Sequence, residues 1–225
     1  MGCHARRHQG GTSMSELAIF ELASLLSSRL CHDLVSPVGA VTNGLEVLAD
    51  EDDADMREMA FRLISESAER AANKLQFARL AYGAAGGPGA DIDLGEARKV
   101  TTQLLSDHKV ELVWQCDLAA VDRLVAKLLV NLAYLCAESL PRGGSVTARL
   151  SMQDTMVEIA VQGEGEMVKP VEGLVQVLSG ESELNGLSPR AAQAYYTGLV
   201  ARCLNCSIEM DSAGNTLSFF CHTGL

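Results

Sequence analysis

Residues 14–83 contain almost nothing that stops a helix, and that run limits what this chain can fold into more than any other feature. One interruption divides it, the acidic stretch Asp50-Glu51-Asp52-Asp53. Ahead of the break, Leu26, Leu30, Leu34, Pro37, Val41 and Leu45 recur every three or four positions, which sets them on one stripe of a helix from about Ser15 to Ala49. Behind it, Met56, Met59, Leu63, Ala71, Leu75, Ala78 and Tyr82 repeat at helical spacing. Asp53 reads as the N-cap of this second helix, with carboxylates at its positive end. Gly83 is a natural stop, and Gly86-Gly87-Pro88-Gly89 is a breaker-rich linker. The expected unit is an antiparallel helical hairpin with arms roughly 45–55 Å long. A lone hairpin of that size leaves apolar surface open. The chain's own second domain can cover it, or a second copy can, giving a homodimer with a two-fold four-helix bundle. The homodimer is the expected arrangement.

Residues 91–225 carry a different pattern, with period-2 runs between helical ones. Ile92 and Leu94 fit a short strand, and a helix follows through Glu96–Ser106. Val110, Leu112, Trp114 and Cys116 alternate as a strand, and Asp122–Leu140 reads as an apolar helix. Val146, Ala148 and Leu150, then Val157, Ile159 and Val161, give two further strands. Ser188 and Pro189 look like N-cap and first position of a helix through Leu204. Ile208–Met210 and Leu217–Cys221 form a hairpin around Ala213-Gly214-Asn215. The fold class is therefore α+β. The expected domains are a helical hairpin at 14–83, a linker at 84–90 and an α/β sandwich at 91–225. Residues 1–13 read as a disordered tail or expression remnant, with His4 and His8 in it.

Composition removes several functions. The formal net charge of -11 argues against nucleic acid or an anionic membrane as partner, since both require basic patches. No apolar run approaches the ~18 residues of a membrane span. Seven cysteines without secretory context read as reduced thiols in a cytoplasmic protein. Cys203 and Cys206 form a CxxC, but no second CxxC or suitably spaced histidine accompanies it, so no metal site is expected.

The chemistry concentrates at Arg29-Leu30-Cys31-His32-Asp33-Leu34-Val35-Ser36-Pro37. At about 100° per residue, His32 falls roughly opposite Leu30, on the polar side with Ser28, Ser36 and Asn43. An imidazole held out in water is largely neutral and nucleophilic at neutral pH. His108 and His222 lack such a setting and read as structural. Pro37 interrupts the backbone ladder just past His32. Gly39 and Gly44 weaken the helix, and at Gly39 close approach of a partner helix would compensate.

A helical hairpin bearing an exposed His-Asp, followed by an α/β sandwich, resembles the core of sensor histidine kinases. His32-Asp33-Leu34-Val35-Ser36-Pro37 resembles their phosphoacceptor box, and Asn131 in Leu128-Leu129-Val130-Asn131-Leu132-Ala133 resembles the second Asn of their ATP-site N box. Pro141-Arg142-Gly143-Gly144-Ser145-Val146 extends the likeness. The rest of the ATP machinery departs from it. Gln162-Gly163-Glu164-Gly165 puts Gln162 where an adenine-binding Asp is expected. Gly186-Leu187-Ser188-Pro189-Arg190-Ala191 has one glycine where a phosphate cradle needs several. Glu164, Glu166, Glu172, Glu181 and Glu183 would repel a triphosphate. The sandwich therefore resembles a degenerate GHKL ATPase domain. The whole pattern, with Gln76-Phe77-Ala78-Arg79 near the hairpin's end, is most similar to the ChpT-type histidine phosphotransferases of alphaproteobacteria.

That resemblance implies a homodimer without ATP or any cofactor of its own. It implies a relay that takes a phosphoryl group from the receiver domain of a hybrid kinase of the CckA kind. The recipients would be response regulators such as CtrA and CpdR. The receiver would supply Mg²⁺ and a lysine; His32 would be the nucleophile and Asp33 would orient it or take its proton. In an antiparallel hairpin turning near Glu51, Arg70, Asn73 and Lys74 fall beside His32, where one of them can meet phosphoryl charge or, for Arg70, pair with Glu66. The expected receiver-docking patch is Ser36, Gly39, Ala40 and Asn43 with Met59, Arg62, Arg70 and Asn73.

Overall fold

The computed structural model describes residues 16–83 and 90–224. The tail and nearly all of the linker lie outside them. Helix α1 (Glu16–Asp50) and helix α2 (Ala54–Ala81) form the antiparallel hairpin. Asp53 caps α2 by accepting from the backbone N–H groups of Asp55 and Met56, both at 3.0 Å. Strand β1 (Asp91–Asp93) leads directly into α3 (Leu94–Asp107), so Leu94 is helical and Asp93 is its N-cap. Then come β2 (Val110–Cys116), β3 (Ala120–Asp122), α4 (Arg123–Glu138), β4 (Gly144–Gln153), β5 (Met156–Glu164), α5 (Leu174–Ser179), α6 (Pro189–Cys203), β6 (Glu209–Ala213) and β7 (Thr216–Gly224). The short β3 and α5 carry no periodic signal and were not expected from sequence.

The main sheet has the order β2-β4-β5-β7-β6, with β2 and β4 parallel and the other neighbours antiparallel. A two-stranded ladder of β1 and β3 stands apart. Alternation sends Val146, Ala148 and Leu150 of β4, Val157, Ile159 and Val161 of β5, and Leu217, Phe219 and Cys221 of β7 to the buried face. There they meet α4, which is buried from Val125 to Ala137. Helices α3 and α6 flank α4, completing a two-layer sandwich whose other face meets solvent.

The hairpin follows its own apolar pattern in α1 and departs from it in α2. In α1 the buried positions are Arg29, Pro37 and Gly44, while Leu45 is 55% exposed. Of the predicted stripe, Pro37 is buried, Leu26, Leu30, Leu34 and Val41 are half-buried and Leu45 is exposed, so the stripe faces inward over most of its length, with Arg29 and Gly44 joining it. In α2, Ala60, Ser67, Asn73, Phe77 and Ala81 are buried, whereas Met56, Met59, Leu63 and Leu75 of the predicted stripe are exposed. Gly44 lets the arms approach until a Cβ there would stand 2.6 Å from Ile64 Cγ1. Within the chain itself, a Cβ on Gly39 meets nothing within 4 Å. The end of the hairpin away from its turn rests on the sandwich through α1 against α6 and α2 against α3 and α4. The sandwich thus covers part of the end away from the turn, while Leu17, Ile19 and Phe20 at the start of α1 and Leu45, Met56 and Met59 near the turn remain exposed.

Candidate functional site

His32 projects from α1 with its side chain 85% exposed. Its ring Nδ1 stands 3.4 Å from Oδ1 of Asp33. The other carboxylate oxygen, Oδ2, accepts from Nε of Arg29 at 2.8 Å, one turn earlier on the same helix. The Arg29 side chain is only 6% exposed. Its Nη2 donates to the Tyr134 hydroxyl at 2.9 Å and to the Glu138 carboxylate, both on α4. Its Nη1 donates to the carbonyl oxygen of Arg190 at the start of α6 at 3.4 Å. Burial alone opposes the guanidinium charge, but Tyr134, Glu138 and Asp33 outweigh it and hold the proton more firmly than usual. Glu138 keeps Oε2 buried without a hydrogen-bond partner, and burial pushes its carboxyl above the ordinary range, against the pull of Arg29 and Arg190.

Together His32, Asp33, Arg29 and Glu138 line a groove of about 360 Å³ closed on its far side by Ser188, Pro189 and Arg190. Ser188 caps α6 by accepting from the Ala191 N–H at 3.2 Å, and Pro189 has no N–H to offer. The α6 terminus therefore keeps few free donors for a phosphate. Arg190 is an exposed cation on this groove, 3.7 Å from Glu138 through Nε.

The predicted site residues divide. Ser36 and Asn43 are exposed and Gly39 and Ala40 half-buried, all within one helical face of His32. Met59 and Arg62 are exposed on α2 toward the turn, with Arg62 paired to Glu58 at 3.3 Å. Arg70 pairs with Glu66 at 3.2 Å. Asn73 is 7% exposed, so it contributes little to any docking surface. Arg70 and Asn73 line a different groove, with Glu69, Ser106 and Asp107 across to the end of α3. The helical phase of α2 turns them toward the end of α3. Lys74 also has another duty, donating from Nζ to the backbone carbonyl of Asp33 at 2.9 Å. No local pattern in the sequence marks Arg29, Tyr134, Glu138 or Arg190 as parts of one site. The Arg29/Asp33 spacing of four was a visible signal, but burial by residues more than a hundred positions away was not.

The positions compared with an ATP site are differently placed. Asn131 is completely buried; its Nδ2 donates to the Lys127 carbonyl at 2.8 Å and its Oδ1 accepts from Gln193 Nε2 on α6 at 3.1 Å. Gln162 does not occupy an inward position: alternation along β5 turns it to the exposed face and points Gly163 at α4, within 3.1 Å of Cys136 Cβ for an added Cβ. The acidic residues Glu164, Glu166, Glu172, Glu181 and Glu183 are all exposed. Among the described residues, no group of three or more His, Cys, Asp or Glu side chains is placed to hold a metal ion, and no helix is long and apolar enough to cross a membrane.

Residues 94–216 match the family model described as the histidine phosphotransferase C-terminal domain. The protein phosphotransferase ChpT of Brucella abortus (strain 2308) is 36% identical over 203 residues, covering 90% of this chain and 96% of that protein. A bacterial phosphotransferase solved at 1.7 Å superposes with a TM-score of 0.80 at 34% identity, covering 93% of this chain and 98% of that one. With its exposed histidine on a long hairpin and its sandwich matched along nearly the whole length, the chain belongs to the ChpT-type histidine phosphotransferases of two-component signalling.

Proposed function

We propose that this chain relays phosphoryl groups between aspartates of receiver domains through His32, without using ATP. The observation that carries the reading is the solvent-facing His32 ring with Asp33 beside Nδ1. With a proton on Nδ1 directed at Asp33, the lone pair on Nε2 faces outward. It attacks the phosphorus of a receiver's acyl phosphate. The bond from phosphorus to the carboxylate oxygen breaks, and its electron pair returns to the carboxylate. Positive charge that develops on the ring faces Asp33. Positioning dominates such a transfer because the transition state is loose. The receiver brings its own Mg²⁺ and lysine. Both phosphorylated forms are high in energy, so neither direction is steeply uphill.

What supports ATP independence is the fate of Asn131, whose amide is committed to Lys127 and Gln193, and the outward turn of Gln162. The proposed donor is the receiver of a hybrid kinase of the CckA kind, and the proposed acceptors are regulators of the CtrA and CpdR kinds. The docking patch is Ser36, Gly39, Ala40 and Asn43 around the groove, continued by Met59 and Arg62. The protein works as a homodimer, joined through the apolar residues that the hairpin leaves outside, among them Val35, Val38 and Leu45 of α1 and Met56 and Leu63 of α2.

A labelled receiver phosphate tests this. Incubation should move the label to wild-type protein and leave His32→Ala unlabelled, while labelled ATP alone should label neither. Label that stays on the receiver in the presence of wild-type protein makes the chain a scaffold; label taken from ATP makes it a kinase.

A further inference from the structure

We propose that Arg29 is a positioning residue for transfer at His32, holding the Asp33 carboxylate against the imidazole on behalf of the sandwich helices α4 and α6. The proposal rests on the relay reading above and extends it to a residue outside the acceptor box. Taking a guanidinium out of water is costly unless its donors are matched. Here four acceptors from three helices match them: Asp33 on α1, Tyr134 and Glu138 on α4, and the Arg190 carbonyl on α6. Joining the hairpin to the sandwich does not by itself require this. Apolar contact already does it, with the Phe77 and Tyr134 rings 5.1 Å apart. The arrangement differs from a plain tie in where it ends. Nε fixes Oδ2 of Asp33 at 2.8 Å, and the carboxylate plane then leaves Oδ1 beside Nδ1 of His32 at 3.4 Å.

An unrestrained carboxylate on a helix surface turns freely and is hydrated. An unrestrained histidine favours the Nε2–H form, which carries its lone pair on the wrong nitrogen for an outward attack. Pinning Asp33 selects the Nδ1–H form and exposes the Nε2 lone pair. The sandwich, with its ATP-site asparagine turned inward, would thus still act on the histidine, through a buried arginine rather than through a nucleotide.

The test uses the full chain and phosphoramidate, a small donor that needs no receiver. Nε2 attacks phosphorus, the P–N bond breaks, and the nitrogen leaves as ammonia with a proton from solvent. Long-range ¹⁵N correlation spectra read the tautomer of His32 directly. Wild type is expected in the Nδ1–H form. In Arg29→Gln the Nε2–H form should rise, and the labelling rate should fall about tenfold, with far-ultraviolet circular dichroism unchanged. Because Arg29→Gln also strands Glu138, the double variant Tyr134→Phe/Glu138→Gln serves as a second measurement. It keeps Arg29 and the Arg190 carbonyl but removes the Tyr134 hydroxyl and the Glu138 charge, and should move the tautomer and the rate in the same direction by a smaller factor. In an Asp33→Asn background, Arg29→Gln should change neither reading further. An unchanged tautomer and rate in both sets of variants overturns the proposal, and so does an equal further loss in the Asp33→Asn background. Wild-type protein that accepts phosphate from phosphoramidate but never from a receiver overturns the relay while leaving the role of Arg29 intact.

Discussion

Lys74 replaces the hydrogen bond that Pro37 removes. In an α-helix the carbonyl of Asp33 would accept from the N–H of residue 37, and proline has none. The Lys74 ammonium reaches across from α2 and donates to that carbonyl at 2.9 Å. The proline one turn past the acceptor histidine is therefore bridged to the second arm of the hairpin, and Lys74 is spoken for before any phosphoryl group arrives. Lys74→Met should destabilise the protein by about 1–3 kcal/mol, the range for a charged donor withdrawn from a half-buried acceptor. In a Pro37→Ala background, where the backbone N–H is restored, the same substitution should cost clearly less. Urea denaturation of the four proteins measures the coupling.

Two glycines of α1 should respond oppositely to alanine. At Gly39 an added Cβ meets nothing within 4 Å, so Gly39→Ala should stabilise by up to about 1 kcal/mol through helix propensity. At Gly44 the Cβ would lie 2.6 Å from Ile64 Cγ1 and 3.4 Å from the Ala60 carbonyl oxygen. Overpacking of about 1–3 kcal/mol then outweighs the same propensity gain. Thermal melts of the two single variants should move in opposite directions.

His108 makes the fold sensitive to mild acid. Its ring packs edge-on to Tyr134 with centroids 5.5 Å apart. Burial lowers its pKa from the ordinary 6.5; Lys74 and Arg29 lower it further, while Asp107 and Asp33 pull it back. The unfolded chain therefore binds the proton more readily. The stability from keeping this ring neutral is complete above the unfolded value and is lost as pH falls from there toward the folded value. Glu138 acts with the opposite sign. Its raised pKa favours the fold when protonated, fully below the ordinary 4.5 and less as pH rises through the folded value. Unfolding free energies of wild type and His108→Gln, compared between about pH 7.5 and 5.5, isolate the histidine: the variant should lose the acid-dependent decline.

The apolar residues outside the hairpin should govern self-association. Val38 and Leu45 are 53% and 55% exposed and lie on one face of α1, two turns apart. Placing Glu at both should convert a dimer to a monomer in sedimentation equilibrium without reducing helix content. A wild-type protein that sediments as a monomer at tens of micromolar sinks the four-helix bundle.

Much of this protein was legible in its residues. Local signals carried the hairpin, its capped turn at Asp53 and the period-2 strands. They also carried the Ser188-Pro189 helix start, because caps and periodicity act over a few positions. The acceptor box likewise lies within one short segment. Contacts between distant segments decided the rest. Met56, Met59, Leu63 and Leu75 of the α2 stripe that looked like core face outward, while Ala71, Ala78 and Tyr82 of the same stripe are half-buried. Asn73 went inside and Gln162 outside, as helical phase and strand alternation take their final register only from what packs against them. Above all, an arginine that reads as surface became the buried centre of the site, since Tyr134, Glu138 and Arg190 reach it only once the sandwich has folded. The sequence alone named the histidine; the tertiary structure decided what surrounds it, because neutralising a buried charge requires partners that only a folded chain brings together.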